Sequence, residues 1–140
     1  MKPAFIITSA IKCKVGAFEP AARIIQTHET INNILKVFGP DTKIILVDGG
    51  EDITNTDPLY VDMENLKARC NVNLTLGDNP QIKHLQDNFF SRVPNKYEMG
   101  GTTGLTKTVA ELTIMNIILN ILKNDDKAKF ITEDCDRIFK

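Results

Sequence analysis

Much of what gives a chain an obvious role is missing from these 140 residues. Lys and Arg number 17 against 18 Asp and Glu, a formal net charge of -1. No basic field is therefore present to hold nucleic acid or an anionic membrane non-specifically. The cysteines, Cys13, Cys70 and Cys135, are odd in number and form no CxxC pair. Neither a disulfide framework nor a zinc ribbon is indicated, and a reducing, cytoplasmic setting is the expectation. At the start, Ala4-Phe5-Ile6-Ile7 is halted by Thr8-Ser9 before the apolar core of a signal peptide can build. The longest apolar stretch, Leu112 to Leu122, is broken by Thr113, Asn116 and Asn120. It falls short of the ~20 apolar residues that a membrane span needs. Chemical signatures are missing too: no GxGxxG after the first apolar run, no P-loop, no GxSxG and no HExxH.

What is present is ordinary globular material, 42% hydrophobic and 25% charged, which argues against a disordered chain. The length suits one domain spanning residues 1–140. Apolar runs at 4–8 and 43–48, and the alternation of Val72, Leu74 and Leu76 within 71–76, predict three strands. The first, apolar on both faces, suits a parallel sheet. Between them, Ile24, Ile31, Ile34, Leu35 and Phe38 recur at helical spacing after Pro20 and before Gly39-Pro40. A second helix is expected from Asp57-Pro58 to about Arg69, and a third over 81–90. A long one is expected over 105–123; the stretch from Ala128 to Lys140 is ambiguous, with Phe130-Ile131 and Arg137-Ile138-Phe139 both carrying strand character. The alternation of strand and helix predicts a three-layer α/β/α, Rossmann-like fold with a mostly parallel sheet.

Ligands of such sheets bind beyond the carboxyl ends of the strands. Thr8 and Ser9 close the first strand, and Asp48-Gly49-Gly50 closes the second. Asp48 is suited to accept hydrogen bonds from ribose hydroxyls or a base N–H, with Gly49 and Gly50 admitting a ligand to the backbone. The plain alternative is a β-turn with a solvated aspartate. Asn95-Lys96 and Gly100-Gly101 precede the long helix, where bare N–H groups suit a phosphate; the alternative is a linker with a Thr cap. Asp134 and Asp136 could share a divalent cation, Mn²⁺ or Mg²⁺, or could be a solvated acidic turn. His28 and His84 have no evident partner and read as surface residues.

Three stretches carry a resemblance. They are Phe5-Ile6-Ile7-Thr8-Ser9, then Arg23-x-x-Gln26-Thr27-x-x-Thr30-Ile31, then Pro40-Asp41-x-Lys43-Ile44-Ile45-Leu46-Val47-Asp48-Gly49. Together they resemble the start of GT-A-type, nucleotide-diphospho-sugar-utilising glycosyltransferase-like domains of bacterial polysaccharide and phage gene sets. Asn95-Lys96 and Arg137-Ile138-Phe139-Lys140 are similar as well. The resemblance implies a nucleotide-diphospho-sugar in the crevice and a divalent metal in many members. Asp48, Thr8 and Ser9 would form the nucleoside wall, and Arg23 and Lys96 would contact phosphate. The family's metal motif follows its fourth core strand, whereas Asp134-Cys135-Asp136 precedes the matching approach. The chain ends at Phe139-Lys140 in a stretch of strand character, so the acceptor half and catalytic base are expected beyond it. A non-catalytic Rossmann-like binding or assembly module is the competing expectation.

Overall fold

The computed structural model describes residues 3–12, 19–85, 112–120 and 123–124. Its elements run β1(Ala4–Ser9), α1(Pro20–Phe38), β2(Lys43–Asp48), α2(Tyr60–Ala68), β3(Val72–Thr75) and α3(Pro80–Leu85), and residues 112–120 are helical. The three strands form one parallel sheet in the order β1-β2-β3. Ala4 pairs with Lys43 and Ser9 with Asp48, so β1 and β2 end level. Asp48 in turn pairs with Thr75.

Local chemistry sets these bounds. Pro20 takes the first helical position of α1, and the Arg23 N–H donates to the Glu19 carbonyl at 3.1 Å. The helix stops at Gly39, whose φ of 106° suits a residue without Cβ and whose N–H reaches the Leu35 carbonyl at 3.0 Å. Thr42 Oγ1 donates to the Gly39 carbonyl at 2.7 Å and fastens the turn into β2. The second helix starts later than its sequence suggests. Asp57 Oδ1 accepts the Leu59 N–H at 2.9 Å, so Asp57-Pro58-Leu59 is a turn leading into α2. Strand β3 is shorter than 71–76. Asn71 joins β2 by accepting the Ile44 N–H on its side-chain Oδ1, at 2.8 Å, and by donating its own N–H to the Ile44 carbonyl.

Strand β2 is the centre of the core. Ile44 and Leu46 turn to one face, where Ile24 and Ile31 of α1 and Met63 and Leu66 of α2 pack on them. Ile45 and Val47 turn to the other, against Ile82 of α3 and Ile117 and Ile118. Strand β1 is expected to be buried on both faces, yet Ala4 and Thr8 are exposed and Phe5, Ile6 and Ile7 half-buried. The reason is its position: among the described residues it pairs with β2 alone. Among the described residues no helix is long and apolar enough to cross a membrane.

Ile31 is 0% exposed while Ile25, on the same helix, is 60% exposed. Ile31→Ala is expected to destabilise the fold by about 2–5 kcal/mol through lost burial and a residual cavity. Ile25→Ala should stay within about 0.5 kcal/mol. Urea unfolding of both variants checks the contrast.

Candidate functional site

The carboxyl ends of the strands meet at Asp48. It is the last residue of β2 and is only 5% exposed. Its Oδ1 accepts three hydrogen bonds: from Ser9 Oγ at 3.2 Å, from the Ile11 N–H at 3.1 Å and from the Gly50 N–H at 3.3 Å. One carboxylate oxygen thus holds the end of β1, the loop after it and the turn after β2. Burial pushes the Asp48 carboxyl above its ordinary value, while the Ile11, Gly50 and Ser9 donors, with Lys67 at longer range, pull it back.

Backbone bonds lock the same edge. The Gly49 N–H donates to the Ser9 carbonyl at 2.8 Å, and the Leu76 N–H to the Asp48 carbonyl at 2.8 Å. The Glu51 N–H donates to the Lys12 carbonyl at 2.7 Å. Lys12 Nζ meets Asp57 Oδ2 at 2.7 Å, which ties the β1 loop to the turn before α2. On the β3 side, a Cβ on Gly77 would stand 2.7 Å from the Gly50 carbonyl and 2.7 Å from Asp52 Oδ1. Asp52 lies beside Asp78, and a hydrogen bond between the two carboxyls raises Asp52 and lowers Asp78. Asp78 also faces Lys83 Nζ at 3.3 Å, which lowers its carboxyl further.

The expected site residues divide cleanly. Ser9, Asp48 and Gly49 stand together. Arg23, half-buried, donates from Nη1 to the Ala10 carbonyl, which brings its guanidinium to the same edge. Thr8 lies on the opposite face of β1, is exposed, and takes no part in the hydrogen bonds to Asp48. Gly50 has its open side filled by protein: a Cβ there would lie 2.8 Å from the Lys12 carbonyl and 3.1 Å from its nitrogen. Asn95, Lys96, Gly100, Gly101, Asp134 and Asp136 lie outside the described residues. Among the described residues no group of three His, Cys, Asp or Glu is placed to hold a metal.

Sequence reasoning passed over Ile11, Lys12, Asp52, Asp57 and Asp78. Their shared signal was position, since each falls within a few residues of a strand's carboxyl end or a helix's start. His28 is not the partnerless surface residue expected. Its Nδ1 accepts from Arg69 Nη1 at 2.7 Å, and burial, followed by the Arg69 charge, lowers its pKa.

No protein-family model, no curated protein and no solved structure matches this chain.

Two outcomes follow from the geometry. Asp48→Ala strands the Ile11 and Gly50 N–H groups and should cost about 2–4 kcal/mol, whereas Asp48→Asn keeps an acceptor and should cost less. Because the folded-state carboxyl is raised, its contribution to stability is full below 3.8 and is lost as pH rises through the raised value. The deficit of Asp48→Asn against wild type should therefore shrink between acid and neutral pH, as urea titrations will show. Separately, Gly50→Ala must displace the Lys12 backbone, while Gly49→Ala meets only the end of the Ile114 side chain, at 3.1 Å. Thermal melts should rank Gly50→Ala as clearly the more damaging.

Proposed function

We propose that the carboxyl edge of this sheet binds a nucleotide, and that the chain is the nucleotide-binding part of a glycosyltransferase-like protein. In this reading the fold is Rossmann-like and doubly wound. Its support is a parallel sheet with helices packed on both faces, the setting in which open α/β sheets take ligands at the strands' carboxyl ends. The observation that carries the reading is the division of labour on Asp48. The three donors found for it among the described residues all go to Oδ1. Oδ2 is then the oxygen that accepts from a ribose hydroxyl or a base N–H.

In a sugar transfer, an acceptor hydroxyl attacks the anomeric carbon and the nucleoside diphosphate leaves with its bonding pair. This chain's described part in that chemistry is to hold the leaving group. Asp48 and Ser9 orient the nucleoside, and the Arg23 guanidinium beside the Ala10 carbonyl offers positive charge to phosphate. Lys96 and the glycines near it are assigned to the same phosphate on the resemblance. The competing reading, a non-catalytic assembly module, draws its support from apolar side chains left in solvent on α1: Ile25, Val37 and Phe38 are 60%, 73% and 50% exposed.

A melting screen against nucleoside diphosphates and their sugar conjugates, with and without Mn²⁺, separates the two. Binding to the folded state alone adds about 2.7 kcal/mol of stability at a hundredfold excess of ligand over Kd. An unmoved melting temperature with every nucleotide at millimolar concentration overturns the nucleotide reading. Asp48→Asn puts a donor where Oδ2 must accept, so calorimetry should show binding weakened by about 1–3 kcal/mol with the fold retained.

A further inference from the structure

The polar contact between α1 and α2 plays no part in the proposed site, yet it has a chemistry of its own. Both helices lie on one face of the sheet, where Ile24 and Ile31 of α1 and Met63 and Leu66 of α2 share the same core. Next to that packing stands Arg69, the half-buried residue that ends α2. Its guanidinium reaches across to α1. Nη1 lies 2.7 Å from His28 Nδ1 and 3.5 Å from the His28 carbonyl, and Nη2 donates to Asn32 Oδ1, one turn further along the helix.

A guanidinium has donors only and keeps its charge. The Nδ1 of His28 must therefore supply the lone pair, which places the ring proton on Nε2 and makes the imidazole neutral. A proton arriving on Nδ1 removes that lone pair and sets two cations 2.7 Å apart. Among the described residues the charged groups acting on His28 are Arg69 and, more weakly and in the opposite sense, Asp62 of α2. Cys70, beside Arg69 in the chain, supplies no counter-charge. Burial pushes its thiol up, so the sulfur stays protonated, and Sγ donates to the Leu66 carbonyl at 3.6 Å.

We infer that the joint between α1 and α2 is an acid-sensitive latch, closed while His28 is neutral and released when Nδ1 takes up a proton. Burial, followed by the Arg69 charge, makes the folded chain bind that proton less readily than the unfolded chain does. The latch therefore contributes fully above 6.5, and its contribution is lost as pH falls through the lowered folded value. The sense is opposite to that at Asp48, whose contribution is lost as pH rises. The device uses none of the residues assigned to a ligand, so it stands whether or not the sheet edge binds a nucleotide.

Nuclear magnetic resonance on the isotopically labelled 140-residue chain reads the latch directly. At about pH 7.5 the ring nitrogens of His28 are expected to show the Nε2–H form, with the Arg69 guanidinium signals distinct from those of free arginine. On acidification the ring should titrate with a midpoint below 6.5, and the Arg69 signals should move to the free-arginine positions with that same midpoint. A ring carrying its proton on Nδ1 at neutral pH, a midpoint at or above 6.5, or Arg69 signals indifferent to the titration overturns the inference. A second arm uses His28→Asn, which can place an acceptor oxygen where Nδ1 stands but cannot titrate. Between about pH 7.5 and 5 the urea midpoint of the wild type should fall further than that of the variant. Equal falls also overturn the inference. Should the variant not fold, the resonances of the parent chain decide.

Discussion

The hydrogen bonds to Asp48 Oδ1 are the interaction on which this end of the molecule depends. A carboxylate at 5% exposure is costly to bury, and it persists because three donors converge on one oxygen. Two of those donors are backbone N–H groups in loops, at Ile11 and Gly50, which the sheet ladder does not reach. Remove the oxygen and both become buried orphans. The carboxylate therefore does for two loops what a further pair of ladder bonds would do for strands. It sets the path of the chain leaving β1 and of the chain leaving β2, and the remaining loop bonds build on those paths. The Glu51 to Lys12 bond at 2.7 Å exists only because Gly50 lets the two backbones come this close.

The same edge is positioned from below by β2. Because successive side chains of a strand alternate, a fully buried strand must find apolar partners on two faces at once. Ile44 and Leu46 find them in α1 and α2, and Ile45 and Val47 in α3 and residues 112–120. The two layers fix β2 in height and tilt, and the level pairing of Ser9 with Asp48 then carries that precision to the site. Asp48 ends a rigid strand, so its oxygens are held by the core rather than by a loop.

The elements with long or continuous patterns were legible from residues alone. Helix α1 begins at Pro20 and ends before Gly39 because the proline and glycine act locally, through a missing N–H and a missing Cβ. Strands β1 and β2 are apolar runs closed by polar residues, and their parallel pairing follows from the helix between them. Where the reading slipped, a side chain had replaced a backbone partner. Asn71 joins β2 through its amide oxygen, and Asp57 caps a turn, so β3 and α2 start later than periodicity suggests. At the site, Ser9, Asp48 and Gly49 could be named from strand ends. The roles of Ile11 and Lys12 could not, because a backbone N–H carries no side-chain signature and Lys12 finds Asp57 45 residues away. Gly50 was legible as permissive, but not that protein backbone fills the space its missing side chain leaves.

If Asp48 is the nucleotide contact proposed above as well as the joint between two loops, binding is linked to loop order. On the proposed reading, a ligand hydroxyl donating to Oδ2 favours the ionised carboxylate, opposing the upward push of burial. The same strengthened charge tightens the bonds that Oδ1 receives from Ile11 and Gly50, since donors bind an ionised oxygen better than a neutral one. Ligand and loops thus reinforce one another through a single carboxylate, without any movement of the sheet. The arrangement also explains why burial is tolerated at this position rather than relieved by an amide. Asparagine would satisfy the two loop N–H groups, but it would present a second nitrogen donor to the crevice. On the proposed reading, only a carboxylate offers one oxygen to the protein and another acceptor of equal strength to a ligand at the strands' carboxyl ends.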